Sequence, residues 1–160
     1  LNNVLDLGCG TCLFGQALKQ KFAINNLIGV DLAPNMLELA RQKQIYDQLY
    51  CTELINFLQQ ETAEYDLIAA TDVMIYIGDL TPVFAACYKH LKPRGYLALS
   101  VEIASTQDYK LLPNGRYQHS LHYLTALSNN SGFRKIYSQA IDLRKEYGNI
   151  VPGYLVLLQK

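Results

Sequence analysis

The chain has 160 residues, half of them hydrophobic and 18% charged, which suits one domain with a substantial core and excludes a disordered chain. Equal numbers of basic and acidic residues, 14 each, and the lack of any Lys/Arg cluster argue against nucleic acid or an anionic membrane as partner. No apolar run reaches the ~20 residues needed to span a bilayer.

Val4-Leu5-Asp6-Leu7 has strand character and stops at Gly8-Cys9-Gly10; Leu13, Phe14, Ala17, Leu18 and Phe22 then recur at helical spacing. This is a strand–turn–helix whose turn lets a ligand approach bare backbone and whose helix directs unpaired N–H groups at the same spot. The chain opens inside the strand without a methionine, so a preceding segment carrying part of a lid is expected. The location expected is cytoplasmic. Asn25-Asn26 breaks the helix, and Leu27 to Val30 reads as a second strand ending in Asp31. Pro34 suits the first turn of a helix carrying Met36, Leu37, Leu39 and Ala40. A third strand is expected at Gln48 to Cys51, then a helix with Leu54, Ile55, Phe57 and Leu58.

Tyr65 to Ala70 reads as the fourth strand, followed by Thr71-Asp72. Thr81-Pro82 resembles a cap with proline at the first helical position, and Lys92-Pro93-Arg94-Gly95 stops that helix before a strand from Tyr96 to Val101. Alternating strands and helices with short links imply a parallel sheet covered on both faces. Gln107 to Ser120 is polar, with a turn at Pro113-Asn114-Gly115. A helix through Leu121, Tyr123, Leu124 and Leu127 ends at Ser131-Gly132. Phe133 to Leu143 and Val151 to Leu158 then read as strands joined near Gly148-Asn149, a link short enough to require antiparallel pairing. The reading is therefore one α/β domain over residues 1–160, with a Rossmann-like, seven-stranded, mostly parallel sheet and a C-terminal antiparallel hairpin.

Ligands of such sheets bind beyond the carboxyl ends of the strands. Asp6, Asp31, Glu53 and Asp72 stand there. A lone acid at a strand end is ordinarily a loop residue or a cap. Asp31, however, closes the second strand ~20 residues after the glycine turn, where a carboxylate accepts from both hydroxyls of a ribose. A dinucleotide turn of G-x-G-x-x-G form would need glycine at Leu13, so the turn fits that fingerprint poorly. Cys9 and Cys12 have C-x-x-C spacing, which leaves a thiol-redox reading as a minor alternative; a metal site would need further ligands, and none is expected. Cys51 and Cys87 are expected to be buried structural cysteines, and a helix-end dipole contact accounts for His90.

Val4-Leu5-Asp6-Leu7-Gly8-Cys9-Gly10-Thr11 resembles motif I of the class I S-adenosylmethionine-dependent methyltransferases. Gly29-Val30-Asp31-Leu32 with Pro34-Asn35-Met36-Leu37 resembles that family's ribose-binding strand and helix start. Tyr65-Asp66-Leu67-Ile68 through Asp72-Val73 resembles its fourth strand, and Leu91-Lys92-Pro93-Arg94-Gly95-Tyr96 its approach to the fifth. Asp72 to Leu80 and Asn114 to Ser120 are similar to a smaller bacterial group often attached to tetratricopeptide repeats, although no 34-residue repeat occurs here.

The resemblance implies S-adenosyl-L-methionine as cofactor. It implies that the backbone of Gly8, Cys9 and Gly10 faces the cofactor's methionine end, that Asp6 helps hold the amino group, and that Asp31 takes the ribose hydroxyls. Leu32 and Met36 would pack near the adenine, Glu53 and Leu54 would meet its edge, and Asp72 and Val73 would close the pocket beside the sulfonium. The family usually has glycine where Cys12 stands. Tyr117 and His119 are the candidates for acting on the methyl acceptor, because their polar segment follows the fifth strand. The acceptor expected is a small molecule or a protein side chain. The alternatives are an NAD-binding oxidoreductase and a non-catalytic nucleoside-binding module.

Overall fold

The computed structural model describes residues 1–105 and 107–160. In chain order the elements are β1 (Asn3–Leu7), α1 (Leu13–Lys21), β2 (Asn26–Asp31), α2 (Pro34–Lys43), β3 (Gln48–Cys51), α3 (Leu54–Gln60), β4 (Tyr65–Ala70), a 3-10 turn (Met74–Tyr76), α4 (Thr81–His90), β5 (Leu91–Ile103), β6 (Tyr109–Leu111), β7 (Tyr117–His119), α5 (Leu121–Asn130), β8 (Arg134–Glu146) and β9 (Asn149–Gln159).

Strand β1 is central because both its faces are buried and it lies between β2 and β4, parallel to each. The strand order is β3-β2-β1-β4-β5, so the chain leaves β1 in one direction and returns on its other side. A right-handed crossover in each direction puts helices on opposite faces. Leu5 and Leu7 face a large core with Ile28, Val30, Ile68, Leu97 and Leu99, covered by Leu54, Phe57 and Leu58 of α3, Phe84 and Cys87 of α4, and Leu124 and Leu127 of α5. Val4 faces a smaller core with Leu27 and Leu67, covered by Phe14 and Leu18 of α1 and by Ile45 and Tyr46 after α2. Each fully buried leucine contributes ~1.5–3 kcal/mol. Asp6, one pleat period from Val4, points to the smaller core's side.

The mostly parallel sheet and the antiparallel C-terminal pair agree with the sequence reading; the strand count among the described residues is nine rather than seven. The two further strands come from the segment read only as polar. Strands β6 and β7 pair antiparallel around the turn at Pro113–Gly115, and β7 runs parallel to the end of β5. Glu102 pairs with Gly153 of β9 and with Gln118 of β7, so β7 must occupy the edge of β5 that β4 holds lower down. Three-residue strands carry too few residues to show a period.

Other expectations are corrected. Strand β5 begins at Leu91, not Tyr96: Leu91 pairs with Tyr65, the register shifts, and Arg94 at φ 66° lets the chain pass Pro93. Thr81 is not the cap of α4; its N–H donates to Asp79 Oδ1 at 2.9 Å and Pro82 follows in the first turn. Cys51 is exposed, at the end of the edge strand β3, whereas Cys87 is buried. His90 stands in the last turn of α4, as expected, and is buried there with Nδ1 3.2 Å from the Ala63 carbonyl.

Candidate functional site

In a doubly wound sheet the strand-order reversal marks the ligand site, here beyond the carboxyl ends of β1 and β4. The chain crosses it between Leu7 and Leu13, where Gly8 and Gly10 take left-handed backbone at φ 70° and 51°. The two glycines differ in what surrounds them. A Cβ on Gly8 would lie 2.5 Å from Val73 Cβ, so the turn seats directly against the segment after β4, whereas a Cβ on Gly10 would meet nothing within 4 Å and would project into open space. The N–H groups of Gly8 and Cys9 donate to the Val30 carbonyl at 2.8 and 3.0 Å, which ties the turn to β2.

Asp31 completes that tie. Its Oδ2 accepts from Gly10 N–H and its Oδ1 from Ala33 N–H, both at 2.8 Å. One carboxylate thus clamps the glycine turn and the entry to α2, and each oxygen keeps acceptor capacity for a hydroxyl. Beside it Leu32 and Met36 are 68% and 45% exposed, an open apolar ledge suited to a planar base. Glu53 caps α3, accepting from Asn56 N–H at 2.9 Å, and Leu54 is buried behind it.

Asp6 is buried, and Tyr46 donates its hydroxyl to Oδ2 at 2.5 Å. Burial pushes the Asp6 carboxyl up to about 7; the Tyr46 bond opposes this and the neighbouring Asp31 charge adds to it. Asp6 Oδ1 is buried without a partner. An orphaned acceptor under the glycine turn fits the ammonium of an amino-acid-bearing cofactor. Cys12, at the start of α1, is buried with φ 70° and ψ 26°, a conformation that favours glycine. Lys43, at the end of α2, crosses to donate to the Thr11 carbonyl at 2.8 Å. Burial pushes the Cys9 thiol well above its ordinary range and also raises Cys12, against the nearby Lys43 charge. Redox cysteines need the opposite shift, so the thiol-redox alternative loses its chemistry.

On the other wall Asp72 ends the β4 segment at φ 57°, with its N–H on Ser100 Oγ at 2.8 Å. Arg144 reaches from β8 to hold Asp72 Oδ1 at 2.5 Å and Glu146 Oε1 at 2.6 Å, and it also bonds the buried Glu102. Arg116 pairs with Glu146. Partial burial outweighs these cations and holds Asp72 above the usual carboxylate range. Tyr117 packs over Gly78, where a Cβ would lie 2.7 Å from its ring. His119 is buried, with Nε2 3.0 Å from the Gly78 carbonyl, Nδ1 unpartnered and its ring stacked on Tyr123. In this arrangement His119 is enclosed and supports the segment after β4.

Sequence reasoning missed Tyr46, Lys43, Ser100, Glu102 and Arg144. For Tyr46 a signal existed: Gly15 inside a helix and Gly29 inside a strand mark close approach of another group.

This sheet order, glycine turn and acidic strand end define a class I S-adenosylmethionine-dependent methyltransferase domain. Residues 5–97, more than half of the chain, match the family described as Methyltransferase domain, and the chain belongs to that family. It is 31% identical over 137 residues to a malonyl-acyl-carrier-protein O-methyltransferase of Priestia megaterium, covering 84% of this chain and 48% of that protein. It is 27% identical over 131 residues to a ubiquinone biosynthesis O-methyltransferase of Idiomarina loihiensis, covering 72% and 53%. The chain spans about half the length of these curated relatives.

Solved structures share the fold. An S-adenosylmethionine-dependent methyltransferase of Methanosarcina mazei matches with a TM-score of 0.77 at 18% identity, covering 99% of this chain and 92% of that one. A Synechocystis magnesium protoporphyrin IX methyltransferase with bound S-adenosylmethionine matches at 0.73 and 19%, covering 98% and 69%. The cyclase SpnF matches at 0.78 and 13%, covering 99% and 75%, so this fold by itself does not dictate the reaction.

Proposed function

We propose that this chain binds S-adenosyl-L-methionine and transfers its methyl group to a small molecule or a protein side chain. The observation that carries the reading is the Asp31 clamp: a carboxylate fixed by Gly10 and Ala33 N–H groups, with exposed apolar neighbours. In this reading Asp31 accepts from the ribose hydroxyls, Leu32 and Met36 cover the adenine, and Glu53 with Leu54 bounds its edge. The backbone of Gly8, Cys9 and Gly10 faces the methionine end, where Asp6 receives the ammonium. Asp72 and Val73 close the site beside the sulfonium.

When bound, the cofactor supplies an already electrophilic methyl group on its sulfonium. The protein's task is to align a nucleophile and exclude water. Tyr117 lies on the acceptor side, and His119 serves that side as a positioning residue by holding the Gly78 carbonyl. The names of the two curated relatives support an oxygen acceptor, and zero net charge supports an acceptor other than nucleic acid. Four free cysteines support a reducing, cytoplasmic location. Among the described residues no helix is long and apolar enough to cross a membrane.

Calorimetry with S-adenosylmethionine, its demethylated product and NAD tests the cofactor. Both sulfur ligands should bind, and Asp31→Ala should weaken them by ~2–3 kcal/mol, about 30–150-fold. Binding of NAD alone would defeat the reading. The second reading is a nucleoside-binding module that holds the cofactor without methyl transfer, since the fold alone does not dictate a reaction. Transfer of a labelled methyl group to an acceptor from a metabolite or peptide panel separates the two.

A further inference from the structure

We propose that Tyr46 is a positioning residue of the cofactor site, holding the Asp6 carboxylate so that its free oxygen receives the ammonium of the bound cofactor. This rests on the cofactor reading above and adds a residue from outside the motifs that suggested it. The geometry is built from three directions. Tyr46 is anchored through its neighbour: Asp47 N–H donates to the Leu27 carbonyl at 2.9 Å, and Leu27 N–H donates back to Asp47 Oδ2 at 2.7 Å. Two missing side chains make room for the phenol. A Cβ on Gly15 of α1 would stand 2.6 Å from the Tyr46 hydroxyl oxygen, and one on Gly29 of β2 would stand 3.0 Å from its ring. The hydroxyl then meets Asp6 Oδ2 at 2.5 Å and leaves Oδ1 buried and unpartnered. A bond to one oxygen of a carboxylate fixes the plane of the other.

The contact has a consequence for pH. An ammonium bonds an ionised carboxylate far better than a protonated one. Burial holds Asp6 up to about 7, so affinity falls as pH falls through that value. The Tyr46 hydroxyl stabilises the ionised form, so its removal raises that value and moves the acid limb to higher pH. The other groups facing Asp6 are Asp31 from β2, Cys9 from the turn and Cys12 from the start of α1, with Lys43 beside Cys12. None of these is altered by a Tyr46→Phe substitution.

The test is calorimetric titration of the whole chain with S-adenosylhomocysteine between pH 6 and 9, in wild type, Tyr46→Phe and Asp6→Asn. The ratio of wild-type to variant affinity cancels the ligand's own ammonium titration. For Tyr46→Phe it should be about tenfold at pH 6, as for a one-unit shift, and approach unity at pH 9. The double variant should bind no more weakly than Asp6→Asn alone. A ratio that stays constant with pH, or additive losses in the double variant, overturns the role of Tyr46 while leaving the cofactor reading intact. Failure of the wild type to bind at any pH overturns both.

Discussion

Cys12 holds a left-handed backbone where the related family favours glycine, and its thiol is buried. The conformation costs a residue with a Cβ about 1–2 kcal/mol, and burial of the thiol returns part of it. Cys12→Gly should therefore change unfolding free energy by less than about 1 kcal/mol, whereas the β-branched Cys12→Val should lose ~2–3 kcal/mol. Urea denaturation measures both; a stable Val variant would mean that the turn has another conformation available. The place of Asp31 beside the glycine turn was legible from its position alone, because the end of the second strand in a doubly wound sheet meets the first βα turn. Its clamping of Gly10 and Ala33 was not legible, since it depends on two N–H groups brought together only by folding.

The β6–β7 hairpin is the element that the sequence concealed. Tyr109 and Tyr117 lean on Gly78, and His119 bonds that residue's carbonyl, so the hairpin braces the segment after β4. His119→Ala should remove this brace, leave a cavity beside Tyr123, and lower stability by ~2–3 kcal/mol. Methyl transfer should slow while cofactor affinity changes less than about threefold, under the ~0.7 kcal/mol scale of a single weak contact. Denaturation and calorimetry on the same sample separate the effects; an affinity loss matching the stability loss would assign His119 to the fold as a whole.

At the scale of the molecule, Arg144 joins the C-terminal hairpin to the ends of β4 and β5. Its guanidinium meets Asp72, Glu102 and Glu146, residues far apart in sequence. Glu102 is buried, so Arg144→Met should leave an uncompensated carboxylate there and cost ~2–4 kcal/mol. Adding Glu102→Leu should recover part of the loss, because removing both partners removes the unpaired charge. A double-mutant cycle by thermal denaturation reads this directly, and additive effects would show that the two groups are uncoupled.

Period and punctuation in the sequence determine the alternation of strands and helices, the glycine turn, the acids at strand ends and the antiparallel finish. These are local properties: apolar spacing, backbone freedom at Gly8 and Gly10, and proline at Pro34 act within a few residues. Tertiary structure alone decides which side chains share a charge or a proton. The Tyr46–Asp6 bond spans 40 residues and the Arg144–Asp72 pair 72, and neither follows from a periodicity. Burial is also a tertiary property; it raises Asp6, encloses His119, and leaves one buried carboxylate oxygen without a partner beneath the turn.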